Sequence, residues 1–105
     1  MVGYVFLAEC KQNGKKIIDK NLSVKFDKKY LGNNPGVILD LAKYGVDNFT
    51  VTMLRAAETV KDCEILLSAF IDENNALSDP QYYNCNITET KDEPVKKSRK
   101  KRSEE

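Results

Sequence analysis

Lysines, carboxylates and a tyrosine pair are the residues of this chain whose types and spacing can do chemistry. Lys15, Lys16, Lys20, Lys25, Lys28 and Lys29 fall within fifteen residues. Cations so spaced can line a phosphate track, because affinity for DNA comes largely from phosphate contacts. Their plainer reading is a solvated rim. Asp19, Glu58, Asp62 and Glu64 are oxygen donors of the kind that hold a divalent cation; their plainer reading is exposed turn and helix carboxylates. Tyr82 and Tyr83 can stack on bases, or pack back onto a sheet. Lys96-Lys97-Ser98-Arg99-Lys100-Lys101-Arg102 places six cations in seven residues. Such a run grips nucleic acid without sequence preference or serves as a nuclear address; as a plain solubilising tail it does neither.

The charge is unevenly laid out. Residues 1–90 carry 10 Lys/Arg against 12 Asp/Glu, a net of −2, and residues 91–105 carry 7 against 4, a net of +3. Within the body, residues 11–30 hold 7 Lys and 2 Asp, while residues 57–90 hold 1 Lys and 7 Asp/Glu. One half of the body suits a polyanion and the other does not. The chain has no His, and Cys10, Cys63 and Cys85 form no CxxC pair, so no structural zinc site is expected. An odd number of unpaired cysteines fits reduced thiols in a cytoplasmic protein. No run approaches the ~20 apolar residues of a membrane span, and Met1–Ala8 reads as a strand rather than a secretion signal.

These groups must be positioned by few elements. At 105 residues one domain is expected. Val2–Glu9 is apolar and β-prone, and Lys15–Asp19 is a second short run. Asn13-Gly14 between them is a strong hairpin signal, since both residues tolerate positive φ. Asn21–Asn34 is a lysine-rich loop or short helix that touches the core through Phe26, Tyr30 and Leu31. Asn34 and Pro35 open a helix that runs to about Tyr44 and ends at Gly45. Phe49–Leu54 alternates as a third strand. Thr59 caps a second helix, on which Val60, Cys63, Leu67, Phe70 and Ile71, widened by Leu66, form an apolar stripe. Residues 77–86 are a loop, and residues 89–105 are expected to be disordered. The order β-β-α-β-α predicts an α+β domain over residues 1–88: a small three-stranded antiparallel or mixed sheet flanked by helices.

In order and spacing, several segments resemble the GIY-YIG endonuclease family, above all its phage and homing-endonuclease members. They are Gly3-Tyr4-Val5-Phe6, Lys15-Lys16-Ile17-Ile18-Asp19, Lys25-Phe26-Asp27-Lys28-Lys29-Tyr30-Leu31-Gly32, Ala42-Lys43-Tyr44-Gly45-Val46-Asp47-Asn48-Phe49 and Tyr83-Asn84. The resemblance spans Met1–Asn84 and is most specific over Lys25–Phe49. It implies the same fold, including the strand order. It also implies a site built from a tyrosine on each of the first two strands, a helical arginine, a metal-binding glutamate and a supporting asparagine.

Residue by residue, most of that set is missing. The first tyrosine position falls on Phe6, the second on Ile17 and the motif glycine on Asp19. The arginine has no counterpart, since residues 20–34 offer only Lys20, Lys25, Lys28 and Lys29 and the first arginine is Arg55. The glutamate, four residues before an apolar Ile, falls on Leu67 before Ile71; a three-residue shift of register makes it Glu64. Asn84 alone is retained. Leucine cannot hold the metal that lowers the pKa of water from 15.7 to about 7. Phe6 and Ile17 cannot move a proton, and lysine lacks the planar fork of arginine.

The expected function is therefore a catalytically inactive GIY-YIG-like, phage-type protein that binds nucleic acid without cutting it. It needs no cofactor or metal. Contacts are expected from Lys15, Lys16, Lys20, Lys25, Lys28, Lys29 and the tail residues Lys96, Lys97, Arg99, Lys100, Lys101 and Arg102. A first alternative is an inhibitor acting by protein–protein interaction on a host defence or nucleic-acid-processing factor, through the acidic half. A second is an active metal-dependent endonuclease with a rearranged site that uses Glu64.

Overall fold

The computed structural model describes residues 1–85. The expected tail, residues 89–105, and the expected domain end at 88 lie outside them. Strand β1 (Gly3–Cys10), strand β2 (Lys16–Asn21), helix α1 (Pro35–Tyr44), strand β3 (Phe49–Ala57) and helix α2 (Val60–Glu73) follow in order, with a 3-10 turn at Val46–Asn48 before β3. The fold is α+β, and its sheet is antiparallel throughout with order β2-β1-β3.

The central position of β1 explains its sequence. A strand flanked on both edges and covered on both faces has no solvent side, so Gly3–Ala8 runs almost unbroken in apolar residues. Alternate side chains still divide between two cores. Tyr4, Phe6, Ala8 and Cys10 join Ile17, Leu31, Val37 and Phe49 beneath α1. Val5 joins Ile18, Ala57, Cys63 and Ala76 beneath α2. These are here called the α1 face and the α2 face.

The hairpin forms as expected: Gly14 lies at φ 72°, and Cys10 and Lys15 close the turn through Cys10 N donating to Lys15 O at 2.8 Å. Asn34 Oδ1 accepts from Gly36 N and Val37 N to cap α1, Gly45 N donates back to Leu41 O, and Thr59 Oγ1 accepts from Asp62 N to cap α2. Two strands outrun their sequence signals. β2 continues to Asn21 because Lys20 and Asn21 pair with Val5 and Tyr4. β3 continues through Arg55-Ala56-Ala57, a weak β segment, because it pairs with Val5, Tyr4 and Gly3; ladder partners override local preference. A bulge opposite Val5 and Phe6 accommodates Leu54.

The segment after α2 seals the outer edge of β2. Lys16 N donates to Gln81 O at 3.0 Å, and Tyr83 N donates to Lys16 O at 2.6 Å. Asn84 continues this pairing with its side chain: Oδ1 accepts from Ile18 N at 2.9 Å and Nδ2 donates to Ile18 O at 2.8 Å. A side-chain amide here substitutes for a strand residue. Tyr82 and Tyr83 straddle the edge, the first packed on the α2 core and the second on the α1 core. Among the described residues, no helix is long and apolar enough to cross a membrane.

Candidate nucleic-acid interface

The positions to which the resemblance assigns cutting do not gather into one cleft. Phe6 and Ile17 both lie in the α1-face core, 0% and 2% exposed, Phe6 opposite Asp19 and Ile17 opposite Ala8. Leu67 packs on the opposite side of the sheet with the α2-face core. Asn84 is at the β2 edge, with both ends of its amide engaged by Ile18. Glu58, Asp62 and Glu64 are exposed on or beside α2. Among the described residues, no group of His, Cys, Asp and Glu is arranged to hold a metal ion.

Asp19 lies on the α1 face, next along β2 on that side after Ile17. Its carboxylate rests against Gly32, where an added Cβ would come within 2.5 Å of Oδ2; Gly32 satisfies both the left-handed backbone, at φ 80°, and the close approach. Burial pushes the Asp19 carboxyl up from its ordinary value, against the opposing pull of the Lys20 amide and ammonium.

The six lysines of residues 15–29 separate into three groups. Lys15 Nζ stands 5.6 Å from the Tyr83 ring centroid and Lys16 Nζ 5.9 Å from that of Tyr82, both along the β2 edge. Lys20 points to the α2 side, where its Nζ is 3.6 Å from Glu64 Oε2. Lys25, Lys28 and Lys29 share the loop that crosses the α1 face. With Ser23, Phe26 and Asp27 they line a groove of about 500 Å³, and Lys28 and Lys29 also border a second one of about 340 Å³ against Val46–Val51. Lys96, Lys97, Arg99, Lys100, Lys101 and Arg102 lie outside the described residues.

That loop is irregular yet tightly held, and its anchor is a residue the sequence hid inside an apolar run. Tyr4 is 0% exposed, and a buried tyrosine hydroxyl needs partners. Its Oη accepts from Asp27 N at 2.9 Å and from Asn21 Nδ2 at 3.0 Å, and its hydroxyl is 3.4 Å from Asp27 O as donor. Asp27 in turn accepts from Lys29 N at Oδ1 (2.9 Å) and from Tyr30 N at its carbonyl (3.2 Å), which winds the chain into a tight turn. The Phe26 ring meets Tyr4 edge-on at 5.4 Å and the Tyr30 ring meets Phe6 edge-on at 5.9 Å. Phe26 and Tyr30 nevertheless remain partly open to solvent, 42% and 37% exposed as residues. A single tyrosine at the start of a buried strand was the available signal for this anchor.

A second polar cluster ties the β2 edge to α1. Tyr83 Oη donates to Asp40 Oδ2 at 2.5 Å, and Asn13 Nδ2 donates to the same oxygen at 2.9 Å. The tyrosine hydrogen bond holds the Asp40 carboxyl below its ordinary value, helped by Asn13 and by nearby Lys15 and Lys43. Burial, then the Asp40 hydrogen bond, raises the Tyr83 phenol well above its own. This hydroxyl therefore keeps its proton and ties residue 83 to α1 through Asp40.

Comparison of the chain with protein-family models, characterised proteins and solved structures returns no match.

Proposed function

We propose that this chain is a non-cutting nucleic-acid-binding protein built on a GIY-YIG-like domain. The observation that carries the reading is the contrast within the α1 face. Where the resemblance expects two tyrosines, Phe6 and Ile17 are sealed in a dry core. Directly above that core, Lys25, Lys28 and Lys29 stand on an exposed loop. Hydrolysis needs a group that holds a metal or activates water, and buried Phe and Ile supply neither. Phosphate binding needs only accessible cations, which the loop provides.

The test is a fluorescence-anisotropy titration of the full chain with labelled DNA and RNA at 50 mM and 200 mM salt, alongside incubation with magnesium and manganese. Salt-sensitive binding with no cleavage is expected. A cut abolished by Glu64→Ala would replace the proposal with a rearranged nuclease, and absence of binding at low salt would remove it.

A second reading, a protein that meets a basic partner, is favoured by one feature: Glu58, Asp62, Glu64, Asp72 and Glu73 are all exposed on or beside α2. Recovery of a specific partner from host lysate by the native chain, lost on reversing these charges, supports it.

A further inference from the structure

We infer that the loop over the α1 face is a single-strand site, taking unpaired bases on Phe26 and Tyr30 and the flanking phosphates on Lys25, Lys28 and Lys29. The inference rests on the nucleic-acid reading above and narrows it to one class of ligand.

Three observations support it. First, the segment places two aromatic residues among its cations, and both aromatic residues keep more than a third of their surface in water. Leaving apolar rings in water forgoes burial that a small core would otherwise use. Each ring packs in a T-shaped pair on a buried ring, Phe26 on Tyr4 and Tyr30 on Phe6, so the rings are held firmly rather than left loose. Second, a duplex has no use for such rings. Its bases are stacked on each other, and its backbone is met by cations and amides. An extruded base stacks on any aromatic face, whatever its identity. Third, the loop is shaped in advance. Tyr4 clamps Asp27 from below, and Ser23 Oγ and Asp27 Oδ1 accept from Lys25 N and Lys29 N. Little ordering remains to oppose binding.

The charge layout agrees. The groove of about 500 Å³ carries three lysines, and its one acidic member, Asp27, has its carboxylate engaged by the Lys29 amide. The exposed carboxylates of α2 lie on the other side of the sheet. A short single strand reaches the groove without meeting them, whereas three lysines offer a duplex few phosphate contacts. An acidic peptide would satisfy the lysines and gain nothing from the rings' π faces.

The test uses the full chain and three probes at 50 mM salt: a labelled 12-mer of thymidine, a duplex of the same length, and an oligo-glutamate peptide. Phe26→Leu and Tyr30→Leu keep apolar bulk on Tyr4 and Phe6 but remove the π face, so the fold is retained; circular dichroism and the melting temperature verify this. Each is expected to weaken thymidine binding about fivefold to a hundredfold, one stacked base apiece, and to leave duplex binding unchanged. The chain has no Trp, so Phe26→Trp supplies a single reporter whose fluorescence falls as thymine stacks on it.

If a triple variant carrying Lys25→Gln, Lys28→Gln and Lys29→Gln weakens both nucleic acids while the leucine variants change neither, the nucleic-acid reading stands and the single-strand inference fails. If neither nucleic acid binds, both fail. Ring-dependent binding of the oligo-glutamate peptide assigns the surface to protein and overturns the inference.

Discussion

The two faces of β1 are made by one strand and treat polarity in opposite ways. On the α2 face, polar groups stay at the rim, and the core of Val5, Ile18, Ala57, Cys63 and Ala76 contains no oxygen-bearing side chain. On the α1 face a phenol is sunk to zero exposure, held by the Asp27 backbone of the loop above, and a carboxylate is drawn part-way in, held by the Lys20 amide of its own strand. The outer surfaces differ correspondingly. α2 presents carboxylates, and the loop presents lysines and aromatic rings. A regular helix hydrogen-bonds its own backbone, so it can cover a purely greasy surface. An irregular loop cannot, and the strand beneath it must supply polar partners. The face that carries an irregular covering thus carries buried polar chemistry, and the irregular covering is what can display an open groove.

The comparison can be attacked by substitution. The largest effect is expected from Phe6→Ala, which opens a cavity at the centre of the α1 core and should cost about 3–5 kcal/mol. Leu67→Ala on the partly exposed α2 stripe should cost about 1–2 kcal/mol, below the range for a fully buried leucine. Urea denaturation gives both values, and equal costs would break the asymmetry. Next comes Tyr4→Phe, which leaves the ring and strips the Asp27 amide of its acceptor. A loss of about 1–3 kcal/mol is expected, with faster hydrogen exchange at Asp27–Tyr30 and none at α2. Exchange that rises evenly across both faces would show that Tyr4 supports the whole sheet and not the loop.

Asp19→Asn sharpens the electrostatic side. The folded carboxyl is raised above its ordinary 3.8, so the folded chain holds this proton more firmly than the unfolded chain. The group's contribution is complete below pH 3.8 and is lost as pH rises through the raised value. The variant should therefore melt higher than the parent at pH 7, and the gain should vanish below pH 3.8. A gain that persists in acid would point to packing instead. The smallest effect belongs to Lys20→Gln. Its ion pair with Glu64 joins side chains that are 29% and 61% exposed, and such pairs are worth at most about 1 kcal/mol before salt screening. A shift of the unfolding midpoint near the error of measurement is expected.

Most of the framework was legible in the residues. Asn13-Gly14, Asn34-Pro35, Gly45 and Thr59 mark turns and helix ends by local chemistry, and each does so in the structure. Strand ends were less legible, because Lys20-Asn21 and Arg55-Ala56-Ala57 become strand only through their partners on β1. The lysine segment looked like one track. Its division into edge, α2-side and loop groups depends on the period-2 alternation of β2 and on where the loop crosses, and neither follows from composition. Tyr4 was concealed by its apolar neighbours. The resemblance assigns Asn84 to a reaction centre, and no pattern in its neighbourhood shows that its amide completes a strand edge.

That use of Asn84 has a consequence for self-association. A sheet grows by offering unpaired amides and carbonyls, and edge strands are its templates for aggregation. Here the β2 side is already occupied by residues 81–84, whereas no described strand pairs with the outer side of β3. Strand-to-strand growth from the described body therefore has one open end. Two such bodies joined through β3 would each bury the edge that the described strands leave open.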